Sequence, residues 1–222
     1  MTNSRKALLF DLDGTLLDTA PDFIFVLNKL LTEEGRDALP HDVIRSTVSS
    51  GARALVTLGF NLRDGDAEFE RLRQRLLTLY DQHLADNTKP FAGIIELLNF
   101  CAEQQWYWGI VTNKPRRFTI PLMEKMALQP AADVIVCPDD VTHTKPHPEP
   151  LLLACKQLSV MPHNAIYVGD HVRDIQAGKS AGLKTIAADY GYIEANDAVA
   201  NWNADFIAQS ASDIYEFLQA LT

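Results

Sequence analysis

Asp11 and Asp13 stand one residue apart in Phe10-Asp11-Leu12-Asp13-Gly14-Thr15-Leu16-Leu17-Asp18, directly after the apolar stretch Ala7-Leu8-Leu9. Two acids so spaced, at the end of a buried strand and before a glycine, suit a nucleophile and its proton-transfer partner. Average composition yields D-x-D-G-T by chance in roughly a few of every thousand chains this long. The Asp11 carboxylate can attack phosphorus and form an aspartyl-phosphate, which splits one difficult displacement into two. Asp13 can protonate the leaving oxygen, then deprotonate the water that cleaves the intermediate. The two roles need opposite protonation states at the start, so Asp11 is expected ionised against a metal, with Asp13 turned towards the leaving group.

Three further polar signals each follow a strand-like apolar stretch: Thr112-Asn113, Lys145-Pro146, and Gly169-Asp170 with Asp174. In a parallel sheet such strand ends share one edge, so residues far apart in sequence meet. A dianionic phosphate entering beside Asp11, Asp170 and Asp174 meets repulsion of about 4 kcal/mol per charge pair at ~4 Å and an effective dielectric near 20. One lysine does not offset that. A hard divalent cation does, and Mg²⁺ accepts few carboxylates while keeping several waters. Asp11 and Asp170 are the expected side-chain ligands, with the Asp13 backbone carbonyl and Asp174 contributing. Lys145 is expected to hold Asp11 and a phosphate oxygen, while Thr112, Asn113 and nearby amides complete a phosphate cradle. Arg53 is a candidate to reach the site and bind a substrate carboxylate as a bidentate donor. Lys114 is a second candidate of that kind. His171 neighbours the metal acids but is expected to face solvent or stand behind them, since magnesium prefers oxygen. His143 and His147 flank the lysine loop with a spacing that fits no zinc site.

The elements that must position these residues follow from periodicity. Lys6 to Phe10 predicts a buried strand. Thr19 is expected to cap a helix with Pro21 in its first turn and Phe23, Val26, Leu27, Leu30 and Leu31 on one face, ending at Gly35. Short helices are expected from Asp42 to Val48 and from Ala52 to Leu58. A long one over Ala67 to Leu84 places Phe69, Leu72, Leu76, Leu79, Tyr80 and His83 together, with arginines opposite. No strand is expected from Thr19 to Asn87. Helices and strands then alternate: Ile94–Glu103 helix, Trp108–Thr112 strand, Phe118–Met126 helix kinked or shortened by Pro121, Val134–Cys137 strand, Pro148–Leu158 helix, Ala165–Val168 strand. Asp174–Ala181 is a helix closed by Gly182, Lys184–Ala188 and Phe206-Ile207 are strands, and Ser212–Leu221 is a final helix.

This pattern predicts an α/β fold: a Rossmann-like three-layer parallel-sheet core, residues 1–17 and 88–222, with an inserted all-helical cap, residues 18–87, over the carboxyl ends of the strands. Hinges are expected near Leu17–Thr19 and Asn87–Pro90.

Composition narrows the function. The 222 residues, 47% hydrophobic and 22% charged, support a globular core rather than disorder. A formal net charge of −9 argues against a nucleic-acid partner. It permits a small phosphorylated metabolite, because a local cation cluster reverses the field inside one pocket. No apolar run reaches the length needed to cross a bilayer and no secretory signal precedes the chain, so no membrane partner and a cytoplasmic setting are expected. Cys101, Cys137 and Cys155 are expected to be buried thiols in a reducing compartment.

The whole set, in this order, resembles the haloacid dehalogenase superfamily, specifically its helical-capped phosphatases close to the phosphoglycolate phosphatase group. The resemblance covers nearly all of the chain. It implies a nucleophile at Asp11, an acid/base at Asp13, a phosphate-binding threonine at Thr112, a lysine at Lys145, and metal-site acids at Asp170 and Asp174 with Mg²⁺. Asp13 favours the phosphatases over the dehalogenases, which lack an acid there. Ser50-Gly51-Ala52-Arg53-Ala54, Val111-Thr112-Asn113-Lys114-Pro115, Cys137-Pro138-Asp139-Asp140 and Tyr190-Gly191-Tyr192 are similar to the N-acetylmuramic acid 6-phosphate phosphatases of bacterial cell-wall recycling. Most phosphoglycolate phosphatases carry a glycine pair near Cys137-Pro138, and this departure counts against a glycolate substrate. The expected activity is Mg²⁺-dependent hydrolysis of a small phosphomonoester, 2-phosphoglycolate-type or N-acetylmuramate 6-phosphate, by a monomer or homodimer. The alternatives are a sugar-phosphate mutase of the β-phosphoglucomutase type and a catalytically silent phosphate-binding protein.

Overall fold

Three stretches, Ala7–Phe10 (β1), Tyr107–Val111 (β4) and Ala165–Gly169 (β6), are apolar almost throughout, as strands covered on both faces must be. They form the centre of a six-stranded, wholly parallel sheet in this computed structural model, which describes residues 5–194 and 197–221.

In chain order, β1 is followed by Leu17–Asp18 (β2), then by helices Ala20–Glu33 (α1), His41–Thr47 (α2), Gly51–Phe60 (α3) and Phe69–Gln82 (α4). Lys89–Pro90 (β3) pairs antiparallel with β2, so the two predicted hinge segments are zipped together as a short ribbon. There follow Ile94–Glu103 (α5), β4, Arg116–Met126 (α6), Val134–Val136 (β5), Glu149–Leu158 (α7), β6, Val172–Ala181 (α8), Lys184–Ala188 (β7), Phe206–Ala208 (β8) and Ala211–Gln219 (α9). The strand order is β5-β4-β1-β6-β7-β8. From β1 the chain moves outward through β4 and β5, then returns to the other side of β1 for β6. That reversal opens a crevice at the carboxyl end of β1, where open α/β sheets bind ligands.

Three local expectations are corrected. Thr19 takes the N-cap position of α1, with Pro21 in the first turn as expected, but its side chain makes no capping bond; its hydroxyl donates to Asp13 Oδ1 at 2.6 Å, and the Ala20 N–H donates to the Tyr192 hydroxyl at 2.8 Å. Pro121 does not shorten α6, which runs from Arg116 to Met126 around buried Phe118, Thr119 and Leu122. That packing outweighs the single backbone bond a proline removes. His83 lies beyond the end of α4, half-buried against Asp86. The two-residue strands β2 and β3 went unpredicted, being too short to show a period.

Helices α1 and α4 meet through Phe23 stacked on Tyr80, centroids 4.0 Å apart and nearly coplanar at 8°. A buried carboxylate, Asp22, fastens this block to the second connecting strand: it accepts from Asn87 N–H at 2.7 Å and from the Thr88 hydroxyl at 2.6 Å. All three cysteines are buried and free, as expected. Among the described residues no helix is long and apolar enough to cross a membrane.

Candidate active site

Asp11 follows β1, Thr112 follows β4, Asp170 follows β6, and Lys145 sits in the loop between β5 and α7. Register alone brings the first three together: Phe10 pairs with Ile110 on one side and Val168 on the other, so the chain turns out of the sheet at one level. Lys145 is buried and its ammonium lies 2.8 Å from Asp11 Oδ1, 2.7 Å from Asp174 Oδ1 and 2.8 Å from the Tyr167 hydroxyl. Burial works to lower its pKa, but the two carboxylates outweigh burial and raise it. Lys145 therefore stays charged.

Asn113 holds that lysine in place. Its carboxamide donates to the Lys145 carbonyl at 3.1 Å and accepts from the Lys145 N–H at 3.2 Å. Asn113 also lines the cavity, so its side chain positions the lysine loop from within the expected substrate site. The Thr112 hydroxyl faces the same cavity and accepts from the Lys114 N–H at 3.1 Å.

Asp170 is buried and takes three donors: Thr15 Oγ1 at 3.1 Å, Ser49 Oγ at 2.8 Å and Tyr192 N–H at 2.9 Å. Burial first, then the charges of Asp11 and Asp174, push its carboxyl up to about 7. Asp174 is also raised, again with burial as the main cause. Three acids thus share a dry corner with one ammonium, an arrangement short of positive charge. Asp11, Asp170 and Asp174 each present an oxygen within 4.8 Å of the others. Asp11 Oδ1 is buried without a hydrogen-bond partner, since Lys145 reaches it in distance but not in hydrogen-bond geometry. Oxygen donors of this number and an orphaned carboxylate oxygen fit a hard divalent cation such as Mg²⁺.

Backbone shape protects the cluster. Gly14 adopts φ +83°, and a Cβ there would overlap Asp170 Oδ2 and lie 2.9 Å from Tyr192 Cδ2. A Cβ on Gly191 would overlap Asp170 from the other side. Only glycine admits the carboxylate at both positions.

Asp13 is separate from the three-acid cluster. Its Oδ1 meets Lys114 Nζ at 2.8 Å as well as Thr19 Oγ1. Lys114 is buried and also donates to the Tyr80 hydroxyl at 2.8 Å, so it is committed to Asp13 and α4. Arg53 lines the cavity but pairs with Asp64 at 2.6 Å and Glu70 at 3.2 Å. His171 stands beside the acids and lines the cavity; its Nδ1 accepts from the Arg173 N–H at 3.1 Å, and burial plus Arg173 lowers its pKa to about 4. His143 and His147 instead meet Glu149 on the exposed side of the lysine loop.

Residues unflagged by the sequence complete the site. Thr15 sat inside the first motif and Tyr192 inside the Tyr190-Gly191-Tyr192 stretch, so both carried a signal. Arg173 likewise sat between Asp170 and Asp174 in the last motif. Ser49 carried no such signal. Arg173 donates to the Ser49 carbonyl at 2.7 Å, which with Ser49–Asp170 ties the helical block to the sheet edge.

The resulting cavity measures about 400 Å³ and includes Asp11, Asp13, Thr112 and Lys145. Six cationic side chains line it against two carboxylates, in a chain of net charge −9. Its apolar wall is Phe23, Tyr80 and Phe118, in successive ring contact.

Comparison with known proteins agrees with this geometry. Residues 8–188 match the family model described as haloacid dehalogenase-like hydrolase. An N-acetylmuramic acid 6-phosphate phosphatase from Pseudomonas aeruginosa is 45% identical over 213 residues, covering 96% of this chain and 94% of that protein. A phosphoglycolate phosphatase from Xanthomonas campestris is 35% identical over 211 residues, covering 95% of each. A crystal structure from Haemophilus somnus, described as a predicted phosphoglycolate phosphatase, superposes with a TM-score of 0.85 at 24% identity, covering 98% of this chain and 100% of that one. Sheet order, strand-end residues and relatives lead to one assignment: the chain belongs to the haloacid dehalogenase-like hydrolases.

Proposed function

We propose that this chain is a phosphomonoesterase acting on a phosphorylated amino-sugar acid of the N-acetylmuramate 6-phosphate type. The observation that carries this reading is the cavity: Asp11 and Lys145 share it with an aromatic wall and an excess of cations. Its volume, about 400 Å³, lies in the range that encloses a drug-sized ligand. A two-carbon phosphate such as 2-phosphoglycolate leaves most of that space unfilled, whereas an amino-sugar phosphate occupies it. The Pseudomonas aeruginosa relative named for that substrate supports the same choice.

Asp11, beside the Lys145 ammonium, attacks phosphorus; its oxygen–phosphorus bond forms as the bond to the sugar oxygen breaks. Asp13, oriented by Lys114 and Thr19, gives its proton to that leaving oxygen. In the second half, Asp13 takes a proton from water, the hydroxide attacks phosphorus, and the bond to Asp11 breaks to release phosphate. Lys145 and the Thr112 hydroxyl steady the phosphoryl oxygens. Asp11, Asp170 and Asp174, with the Asp13 carbonyl, would hold a hard divalent cation, which would supply the remaining positive charge on the phosphoryl group. Residues 18–87 serve as a cap over the core formed by 1–17 and 88–222, of which residues 1–4, 195–196 and 222 lie outside those described. Opening that cap must break the Ser49–Asp170 and Ser49–Arg173 bonds. In this reading the enzyme works in the cytoplasm, in the recycling of cell-wall sugars, as a monomer or homodimer.

A phosphate-release screen over N-acetylmuramate 6-phosphate, 2-phosphoglycolate and common hexose phosphates tests the proposal, with and without chelator. The expected result is highest kcat/KM on N-acetylmuramate 6-phosphate, abolished by chelator and by Asp11→Asn. Preference for 2-phosphoglycolate overturns the substrate assignment. Isomerised hexose phosphate without free phosphate identifies a mutase, and no turnover of any phosphomonoester identifies a silent binder.

A further inference from the structure

The six cations lining the cavity differ in how they are engaged. Lys145 is held between Asp11 and Asp174, and Lys114 by Asp13. Arg53 is taken up by Asp64 and Glu70, and Arg73 by Glu70 at 2.8 Å. Arg173 donates to the Ser49 carbonyl. Of these six, only the Arg117 side chain makes neither a hydrogen bond nor an ion pair with a described residue; its guanidinium lies 4.4 Å from the centroid of the Phe118 ring. It is exposed, in the first turn of α6, and lines the same cavity as Asp11.

The aromatic contacts place this free guanidinium relative to the chemistry. Asp13 meets Lys114, Lys114 meets Tyr80, Tyr80 meets Phe118 edge-on at 5.5 Å, and Arg117 covers Phe118. Beyond Lys114 the wall towards Arg117 is aromatic, suited to the body of a sugar, with a planar cation at its far end. A guanidinium resting on an aromatic ring is partly desolvated and pre-oriented, and it matches a carboxylate with two parallel N–H donors.

We infer that Arg117, rather than Arg53, is the specificity residue that binds the carboxylate of the substrate, so that the enzyme selects phosphorylated sugar acids over otherwise identical neutral sugars. This rests on the phosphatase reading above. Arg53 would first have to leave two acids; Arg117 gives up only solvent.

The test uses a matched pair, N-acetylmuramate 6-phosphate and N-acetylglucosamine 6-phosphate, which differ by the lactyl ether carrying the carboxylate. Wild type is expected to favour the first. Arg117→Ala is expected to raise KM for N-acetylmuramate 6-phosphate about 10- to 100-fold, the range for loss of a charge-assisted hydrogen bond, with kcat little changed. KM for N-acetylglucosamine 6-phosphate stays within about twofold in that variant, which also shows that it folds, and Arg117→Lys falls between. An equal rise for both sugars, or a wild type with equal kcat/KM for the two, overturns the inference while leaving the phosphatase reading intact. A wild type inactive on both sugars also overturns it, and its activity on p-nitrophenyl phosphate then decides whether the phosphatase reading falls as well.

Discussion

Asp170→Asn, stripped of cation, is expected to be more stable than wild type above neutral pH and less stable in acid. Burial, with Asp11 and Asp174, raises the Asp170 carboxyl from 3.8 to about 7. At 1.36 kcal/mol per unit, keeping it ionised costs the folded state about 4 kcal/mol relative to the unfolded chain. The folded pKa lies above the unfolded one, so the folded protein holds the extra proton between about pH 4 and 7. The contribution of this group is fully present below pH 4 and is lost as pH rises through 7. Asparagine removes the charge but presents an NH₂ group to the donors Thr15 Oγ1, Ser49 Oγ and Tyr192 N–H. Losing one or two of those bonds costs about 1–2 kcal/mol. The balance is a gain of roughly 2 kcal/mol at pH 8 and a deficit of similar size at pH 4. For a chain of this length that is roughly 4–8 °C in Tm at each end, with opposite sign. The assay is thermal unfolding of both proteins in chelator from pH 4 to 8, taking the difference so that other titrating groups cancel. Added Mg²⁺ should then raise the wild-type Tm at pH 8 and hardly move the variant. A difference that stays flat with pH, or slopes the other way, refutes the claim that these acids crowd one another in a dry site.

Three other outcomes follow from the geometry. Asp13→Asn should lower kcat about 10²- to 10⁴-fold on a sugar phosphate but far less on p-nitrophenyl phosphate, whose leaving group needs no proton; steady-state rates on the two compare them directly. Gly14→Ala should destabilise by at least about 1–3 kcal/mol from its φ of +83°, with more from displacing Asp170, read by urea denaturation and by weakened Mg²⁺ dependence of activity. Asn113→Ala should free the Lys145 backbone, lowering kcat/KM about tenfold or more while costing about 1–3 kcal/mol of stability for two lost, partly buried hydrogen bonds; paired rate and unfolding measurements separate the two effects.

The alternation of strands and helices, the helical insertion and the chemistry-bearing residues were legible in the sequence because each rests on local physics. Buried strands read as apolar runs such as Ala7–Phe10, and amphipathic helices as the spacing of Phe69, Leu72, Leu76 and Leu79. The three-acid cluster followed from strand ends sharing an edge, which parallel topology imposes. What side chains do once gathered was not legible. Sequence offered Asn113 and Arg53 as substrate ligands, and only the fold put the lysine loop against Asn113 and two acids against Arg53. Thr19 carried a capping signal, yet its hydroxyl donates to the nearby Asp13 carboxylate, and a tyrosine from the far end of the chain accepts the Ala20 N–H. Propensity and period act over a few residues, so sequence shows which groups are available. Which of them are already paired, and which, like Arg117, are left free, depends on neighbours well beyond that window, and tertiary packing alone decides that.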